Sequence, residues 1–173
     1  MVIGKPLFTE DQIQTKVEEL ARKINDDYKG RDILAVGLLK GAFMFYSDLV
    51  RHLNGPLTVD FIMSSSYVSD RSSGKVTVHY DIREPITGKD VLIIEDIIDT
   101  GISLNYLLER LRQRSPKSLK TCVFLDKRCR REIDIPIDYV GFEIPDEFVI
   151  GYGIDYNDQF RNLPYISILK KST

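Results

Sequence analysis

The sequence predicts an α/β protein with a parallel-sheet core flanked by helices. Short apolar runs typical of buried strands alternate along the chain with amphipathic segments typical of helices. The chain has 173 residues, of which 43% are hydrophobic, enough for one full-sized core and too few for two. We therefore expect a single domain over residues 1–173, with ligands gathering at the carboxyl ends of the strands.

The first half of the chain predicts two helices and three strands. A first helix is expected within residues 9–30, where apolar residues recur at helical spacing and Thr9 and Gln12 stand at capping-box spacing. The elements that follow are a strand at 32–39, a helix at 41–53, a strand at 56–65, a polar stretch at 66–75 and a strand at 75–82. The polar stretch has no periodicity and is the candidate for a mobile loop.

The second half continues the alternation. Residues 89–96 form an apolar run that predicts a buried strand, and residues 103–114 predict a helix that ends before Pro116. Two further strands are expected at 119–126 and 137–144.

Charge and composition limit the classes of partner. The net charge of −2 provides no overall basic field, so we expect no nucleic-acid partner, and no apolar run is long enough to cross a membrane. The amino terminus lacks the apolar core of a secretory signal, which favours a cytoplasmic protein with a small-molecule ligand. Cys122 and Cys129 match neither a zinc motif nor a redox pair and are interpreted as free structural thiols.

Three carboxylates follow the most apolar strand. The run VLIIEDIIDTGIS, residues 91–103, carries Glu95, Asp96 and Asp99 at the end of this strand. Desolvating carboxylates costs free energy, so an idle cluster of three is unexpected. Adjacent acids can accept hydrogen bonds from vicinal hydroxyls, which indicates a sugar ligand.

The turn after these acids predicts an anion site. Gly101 would let the backbone approach a phosphate closely, and the hydroxyls of Thr100 and Ser103 would join the N–H groups that begin the next helix. An ordinary strand-to-helix turn with Asp99 as the helix N-cap is the alternative, although a cap needs one acid and this turn has three.

The same run resembles the phosphoribosyl-pyrophosphate signature of the type I phosphoribosyltransferases, and the flanking sequence resembles their hypoxanthine-guanine branch. The likeness extends over nearly the whole chain and includes LLKGAFMFYSDL, SSSYVSDRSSGKV, FLDKRC and VGFEIPDEFVIGYGIDYNDQFRNLPYI. The resemblance implies the type I fold with a small hood subdomain and a mobile lid loop. It also implies conversion of hypoxanthine or guanine and 5-phosphoribosyl 1-pyrophosphate to IMP or GMP and pyrophosphate.

The resemblance assigns the sugar-phosphate ligands residue by residue. Glu95 and Asp96 would hold the ribose hydroxyls, directly or through Mg²⁺. The 5′-phosphate would be wrapped by Thr100, Gly101, Ile102 and Ser103, with Ile102 acting through its backbone N–H. The pyrophosphate would be bound by Arg161, by backbone N–H groups of Lys40 and Gly41, and by Ser66 and Tyr67 when the lid closes. The peptide bond before Lys40 is implied to be cis.

The base would be held on the other side of the site. Asp99 would be the general base that takes the proton from N7 of the purine. Lys127 would donate to the 6-oxo group, Phe148 would stack on the ring, and the backbone of Val149 would contact the exocyclic edge. Asp155 would bind a second Mg²⁺.

Two other functions remain open. One is transfer to xanthine, adenine or another base. The other is a non-catalytic regulator that senses phosphoribosyl pyrophosphate, although 173 residues leave little room for a nucleic-acid-binding surface.

A homodimer or homotetramer is the expected assembly.

Overall fold

The structure is a computed structural model that describes residues 2–69 and 72–170. Its larger sheet has six strands, which are β2 (Ile33–Leu39), β3 (Leu57–Ser69), β4 (Ser72–Tyr80), β5 (Asp90–Ile98), β6 (Ser118–Asp126) and β7 (Tyr139–Glu143). Its smaller sheet has three, which are β1 (Val2–Phe8), β8 (Val149–Ile150) and β9 (Ile166–Lys170). The helices are α1 (Glu10–Asp27), α2 (Phe43–Arg51) and α3 (Ile102–Arg112).

The strand order of the larger sheet creates the binding crevice. The order is β4-β3-β2-β5-β6-β7, and every neighbouring pair is parallel except β3 and β4. The chain moves outward in one direction after β2 and in the other after β5, so the connections at the carboxyl ends of these two strands diverge. Such a switch point is where open α/β sheets bind ligands. The predicted α/β core with a mainly parallel sheet is confirmed.

Helices cover both faces of this sheet. Thr9 caps α1 and forms the expected capping box with Gln12, and the apolar residues of α1 are buried on one face together with those of α2. The buried leucines of α3 pack on the opposite face. Within the described residues, none of these helices is both long and apolar enough to cross a membrane.

The polar stretch at 66–75 differs from the expectation of an irregular loop. The backbone of 66–69 extends β3, the backbone of 72–75 extends β4, and the two strands pair antiparallel. Ladder hydrogen bonds satisfy the backbone here although the sequence lacks a strand pattern. Residues 70 and 71, and the side chains of Ser66 and Tyr67, lie outside what the structure describes, so their predicted contacts with pyrophosphate stay predictions.

The smaller sheet is the hood that the family resemblance implies. β9 lies between β1 and β8 and pairs antiparallel with both. The periodicity of the sequence did not indicate these three strands. β1 carries Pro6, which lacks a backbone donor, and the β1–β9 register shifts on both sides of Pro6. Pairing between distant segments therefore stabilises these three strands although their local sequence pattern is weak.

Candidate active site

A cleft of ≈ 430 Å³ lies at the carboxyl ends of β2 and β5. Its lining includes six of the predicted site residues, which are Gly41, Glu95, Asp96, Ser103, Asp155 and Arg161. Clefts of ≈ 470 and ≈ 500 Å³ lie elsewhere on the described chain, but neither is lined by a predicted site residue. The tertiary fold thus gathers residues from four separate segments at the switch point of the sheet.

Glu95 and Asp96 form a desolvated acidic pair in this cleft. Asp96 is buried, and its backbone N–H donates to Glu95 Oε1 at 3.1 Å. Burial and the nearby charge of Asp96 raise the pKa of Glu95 well above its usual range, and burial also raises the pKa of Asp96. A cation or a set of hydroxyl donors would stabilise the ionised forms of both groups.

The space for Asp96 exists because residue 41 is glycine. A Cβ on Gly41 would lie 2.0 Å from Asp96 Oδ2. On the other side of the turn, a Cβ on Gly153 would lie 2.1 Å from the carbonyl oxygen of Gly41. The Asp96 carboxylate and the backbone of Gly153 therefore both pack directly on Gly41. The Leu39–Lys40 peptide bond, which enters this turn, is cis, as the family resemblance implies.

The turn after β5 leaves the start of α3 open for an anion. Gly101 is the N-cap residue with φ of 85°, and no side chain caps the helix. The alternative with Asp99 as N-cap is therefore wrong. Ile102 N–H makes a long hydrogen bond of 3.4 Å to Thr100 Oγ1, and Ser103 lines the cleft. The uncapped N–H groups and the helix dipole favour a phosphate at this position.

Asp99 lies beside a cation that sequence reasoning did not single out. Arg130 Nε is 2.7 Å from Asp99 Oδ1, but its N–H does not point at that oxygen, which has no hydrogen-bond donor among the described residues. Arg130 Nη1 also lies 3.5 Å from Asp146 Oδ1. The only signal in the sequence was the basic run after Lys127, which could equally have been a solvated surface.

The residues predicted to hold the base lie outside the lining of the 430 Å³ cleft. Lys127 is only 8% exposed, and its backbone N–H donates to the carbonyl of Ile98 at 3.0 Å, which ties this segment to the end of β5. Phe148 is 49% exposed and packs edge-on against Tyr156, with 5.5 Å between ring centroids. Val149 is buried in β8. About half of the Phe148 side chain is thus exposed and accessible to a ligand.

The predicted pyrophosphate residues are joined by an acid that sequence reasoning missed. Asp158 Oδ1 lies 3.2 Å from Lys40 Nζ and 3.2 Å from Arg161 Nη2. Hydrogen bonds from Arg161 and Lys40 lower the pKa of Asp158. The same Arg161 Nη2 lies 2.7 Å from Asp155 Oδ1, so the predicted metal ligand is paired with the predicted pyrophosphate ligand.

Comparison with known proteins agrees with this geometry. Residues 7–157 match the family model described as a phosphoribosyl transferase domain. The hypoxanthine-guanine phosphoribosyltransferase of Bacillus subtilis (strain 168) is 48% identical over 169 residues, which cover 97% of this chain and 94% of that protein. The hypoxanthine phosphoribosyltransferase of Salmonella typhimurium is 50% identical over 163 residues, covering 92% of each.

Solved structures give the same result. A crystal structure of a hypoxanthine-guanine phosphoribosyltransferase from Bacillus anthracis superposes with a TM-score of 0.94 at 46% sequence identity, over 98% of this chain and 100% of that one. The match covers the hood and the core alike. The chain therefore belongs to the phosphoribosyl transferase domain family, among the hypoxanthine phosphoribosyltransferases.

Proposed function

We propose that the protein transfers the phosphoribosyl group of 5-phosphoribosyl 1-pyrophosphate to hypoxanthine or guanine, forming IMP or GMP and pyrophosphate. The observation that carries this proposal is the adjacent acids Glu95 and Asp96, of which Asp96 is buried, lying in one cleft with Gly41 and Ser103, at the uncapped start of α3. The acids suit the ribose hydroxyls, and the helix start suits the 5′-phosphate.

The phosphate and pyrophosphate ends of the substrate have separate ligands. The segment Thr100–Ser103 binds the 5′-phosphate through backbone N–H groups and the hydroxyls of Thr100 and Ser103. Arg161 and the backbone N–H groups of Lys40 and Gly41 bind the pyrophosphate. Because Asp158 engages Arg161 in this structure, binding of pyrophosphate to Arg161 replaces that contact with a more highly charged anion.

The reaction needs charge stabilisation more than covalent chemistry. Loss of pyrophosphate leaves positive charge on the ribose ring, as in other glycosyl transfers, while negative charge grows on the leaving group. Arg161 and the donors at 40 and 41 stabilise that negative charge. Asp99 accepts the proton from N7 as N9 attacks the sugar. Closure of the lid, with Ser66 and Tyr67, excludes water from the reactive sugar.

Mg²⁺ fits the acids of the cleft. Among the described residues no group of three or more potential ligands forms a closed metal cage. Mg²⁺ usually takes one or two carboxylates together with substrate oxygens and water, which the Glu95–Asp96 pair and Asp155 can supply. The raised pKa values of the pair indicate acids that a cation would stabilise. When bound, the metal would supply neutralisation of the negative charge on pyrophosphate.

Base choice and the regulator alternative are tested together. The purified protein is assayed for nucleotide formation with hypoxanthine, guanine, xanthine and adenine, with and without excess EDTA. We expect turnover of the first two bases, loss of activity in EDTA, and an unchanged circular dichroism spectrum. Binding of phosphoribosyl pyrophosphate without turnover of any base would favour the non-catalytic regulator, and a preference for xanthine or adenine would favour the other transferase.

We also infer that the chain assembles as a homodimer or homotetramer. Large apolar side chains remain on the surface, including Val59 at 51% and Phe43 at 37% exposure. Sedimentation equilibrium at micromolar concentration should show a mass of two or four chains. A single-chain mass across the concentration range would contradict this inference.

A further inference from the structure

We propose that Tyr152 is a positioning residue for the pyrophosphate side of the site and that its hydroxyl acts through Asp48 of α2. This inference rests on the proposed function, because it concerns the residues that would bind the pyrophosphate. Tyr152 lies within the family motif, but neither that motif nor the cleft lining assigned it a role.

The backbone of Tyr152 is held in an unusual conformation. Tyr152 stands between Gly151 and Gly153, has φ of 50° and is 5% exposed. A left-handed conformation is uncommon for a bulky residue and persists where surrounding contacts impose it. Here Tyr152 N–H donates to the carbonyl of Leu163 at 2.8 Å.

The phenol of Tyr152 is attached to the helices that cover this face of the sheet. Its hydroxyl donates to Asp48 Oδ2 at 2.7 Å. The same oxygen accepts from Gln14 Nε2 of α1 at 3.0 Å, and Arg51 Nη1 lies 3.7 Å from the other carboxylate oxygen. A hydrogen bond to a charged acceptor is stronger than one between neutral groups. Residues far apart in the sequence, in the segment between β8 and β9 and in α1 and α2, are thereby linked.

This link controls how two pyrophosphate-binding segments meet. α2 begins just after the turn at Lys40 and Gly41, and Gly153 packs directly on the carbonyl of Gly41. Gly153 N–H donates to the carbonyl of Arg161 at 2.9 Å, and Arg161 Nη1 donates back to the carbonyl of Gly153 at 2.8 Å. Asp48 and Tyr152 therefore hold the turn and the Arg161 segment at a fixed separation.

The base side of the site is held by other contacts. Although Phe148 and Val149 precede Tyr152 on the same segment, pairing with β9 fixes them, and the carbonyl of Phe148 accepts from Leu169 N–H at 2.8 Å. Lys127 is tied to β5 through the carbonyl of Ile98, and the carbonyl of Thr100 accepts from the N–H groups of Glu132 and Ile133. Loosening the Tyr152–Asp48 contact should therefore weaken binding of phosphoribosyl pyrophosphate and pyrophosphate while leaving the affinity for the base unchanged.

The experiment compares two tyrosines of the same burial. Tyr139 is also 5% exposed, and its hydroxyl donates to the carboxylate of Asp27 at 2.6 Å, between α1 and β7. Tyr152→Phe and Tyr139→Phe each remove one buried hydroxyl that bonds to an aspartate. We expect Tyr152→Phe to raise the KM for phosphoribosyl pyrophosphate about tenfold, as small displacements of substrate-positioning groups do. The KM for hypoxanthine should not change, and Tyr139→Phe should change neither constant.

Substitution of the acceptor provides a second test. Asp48→Ala should reproduce the effect of Tyr152→Phe, while Asp48→Asn, which keeps an acceptor oxygen, should recover most of the wild-type affinity. The positioning role is wrong if the wild-type protein is active and the KM for phosphoribosyl pyrophosphate is the same in Tyr152→Phe, Asp48→Ala and Tyr139→Phe. Absence of transferase activity in the wild-type protein would instead overturn the proposed function.

Discussion

Asp99 is partly buried, and the neighbouring Arg130 leaves one of its carboxylate oxygens without a hydrogen bond. Arg130 lies 2.7 Å from its Oδ1 without directing an N–H at that oxygen, which is itself shielded from solvent, while 45% of the Asp99 side chain remains exposed to a ligand. This arrangement suits a group that must accept a proton from a neutral purine in the transition state.

Asp99→Asn should separate catalysis from binding. We expect turnover to fall by ~10²- to 10⁴-fold, the usual contribution of a general base, because asparagine fits the turn but cannot accept the proton. The dissociation constant for phosphoribosyl pyrophosphate, measured by calorimetry, should stay near the wild-type value. An equal loss of binding would identify Asp99 as a ligand of the sugar phosphate. Glu95→Gln and Asp96→Asn should instead weaken the binding of phosphoribosyl pyrophosphate more than they lower turnover.

Lys127 should decide which bases are accepted. Its ammonium has only donors, so it pairs with a 6-oxo group and opposes the 6-amino group of adenine. An unpaired buried partner can cost ~10⁴-fold in efficiency, so adenine should be rejected strongly. Lys127→Ala should lower kcat/KM for hypoxanthine and guanine together and reduce the difference in kcat/KM between these bases and adenine. Phe148→Ala should weaken the binding of all bases to the same extent. Adenine turnover within tenfold of hypoxanthine by the wild-type protein would contradict this role.

At the scale of elements, the turn between β2 and α2 depends on the absence of a side chain. Gly41→Ala should displace either the turn or the Asp96 carboxylate, because the new Cβ would lie 2.0 Å from Asp96 Oδ2. We expect weaker binding of phosphoribosyl pyrophosphate and a lower Tm. Gly4→Ala in β1 is the matched control, since its Cβ would meet the carbonyl oxygen of Ile168 at 3.3 Å, a contact that a small shift relieves. Equal affinities in the two variants would show that the turn tolerates a Cβ.

For the whole molecule, acid stability should depend on a carboxylate at the amino-terminal end of β5, the end of the strand away from the cleft. Asp90 is 4% exposed and pairs with Arg31 and Lys117, each at 3.2 Å. Burial alone raises the pKa of Asp90, but hydrogen bonds from Ser118 and Lys117 and the charge of Arg31 outweigh it and hold the pKa below its usual range. Asp90 thus contributes stability that is present above the ordinary value of 3.8 and is lost as pH falls through the lower folded value.

Urea unfolding at a series of pH values measures this contribution. The free energy of unfolding of the wild-type protein should fall more steeply below pH 3.8 than that of Asp90→Asn. The control is Asp26→Asn, which alters a side chain that is 75% exposed and should leave the pH dependence unchanged. Parallel curves for wild type and Asp90→Asn would show that other carboxylates govern acid unfolding.

Much of this fold could be predicted because its signals are local. The capping box at Thr9 and Gln12, the apolar run of β5 and the helix after Gly101 are each specified within a few residues, so periodicity and turn chemistry locate them. The acids at the end of β5 could also be predicted from local sequence, because a cluster of carboxylates in an apolar run is visible in the sequence alone.

The sequence by itself determined the order of the core elements, the position of the acidic pair and, through the family motif, the other candidate ligands. Only the tertiary structure decided which of these groups meet. Lys40 and Asp158 are separated by 118 residues, and Tyr152 and Asp48 by 104. The hood strands likewise form because β9 pairs with β1 from the other end of the chain. Contacts of this kind leave no periodic signal, since they arise from chain topology rather than from the spacing of neighbouring residues.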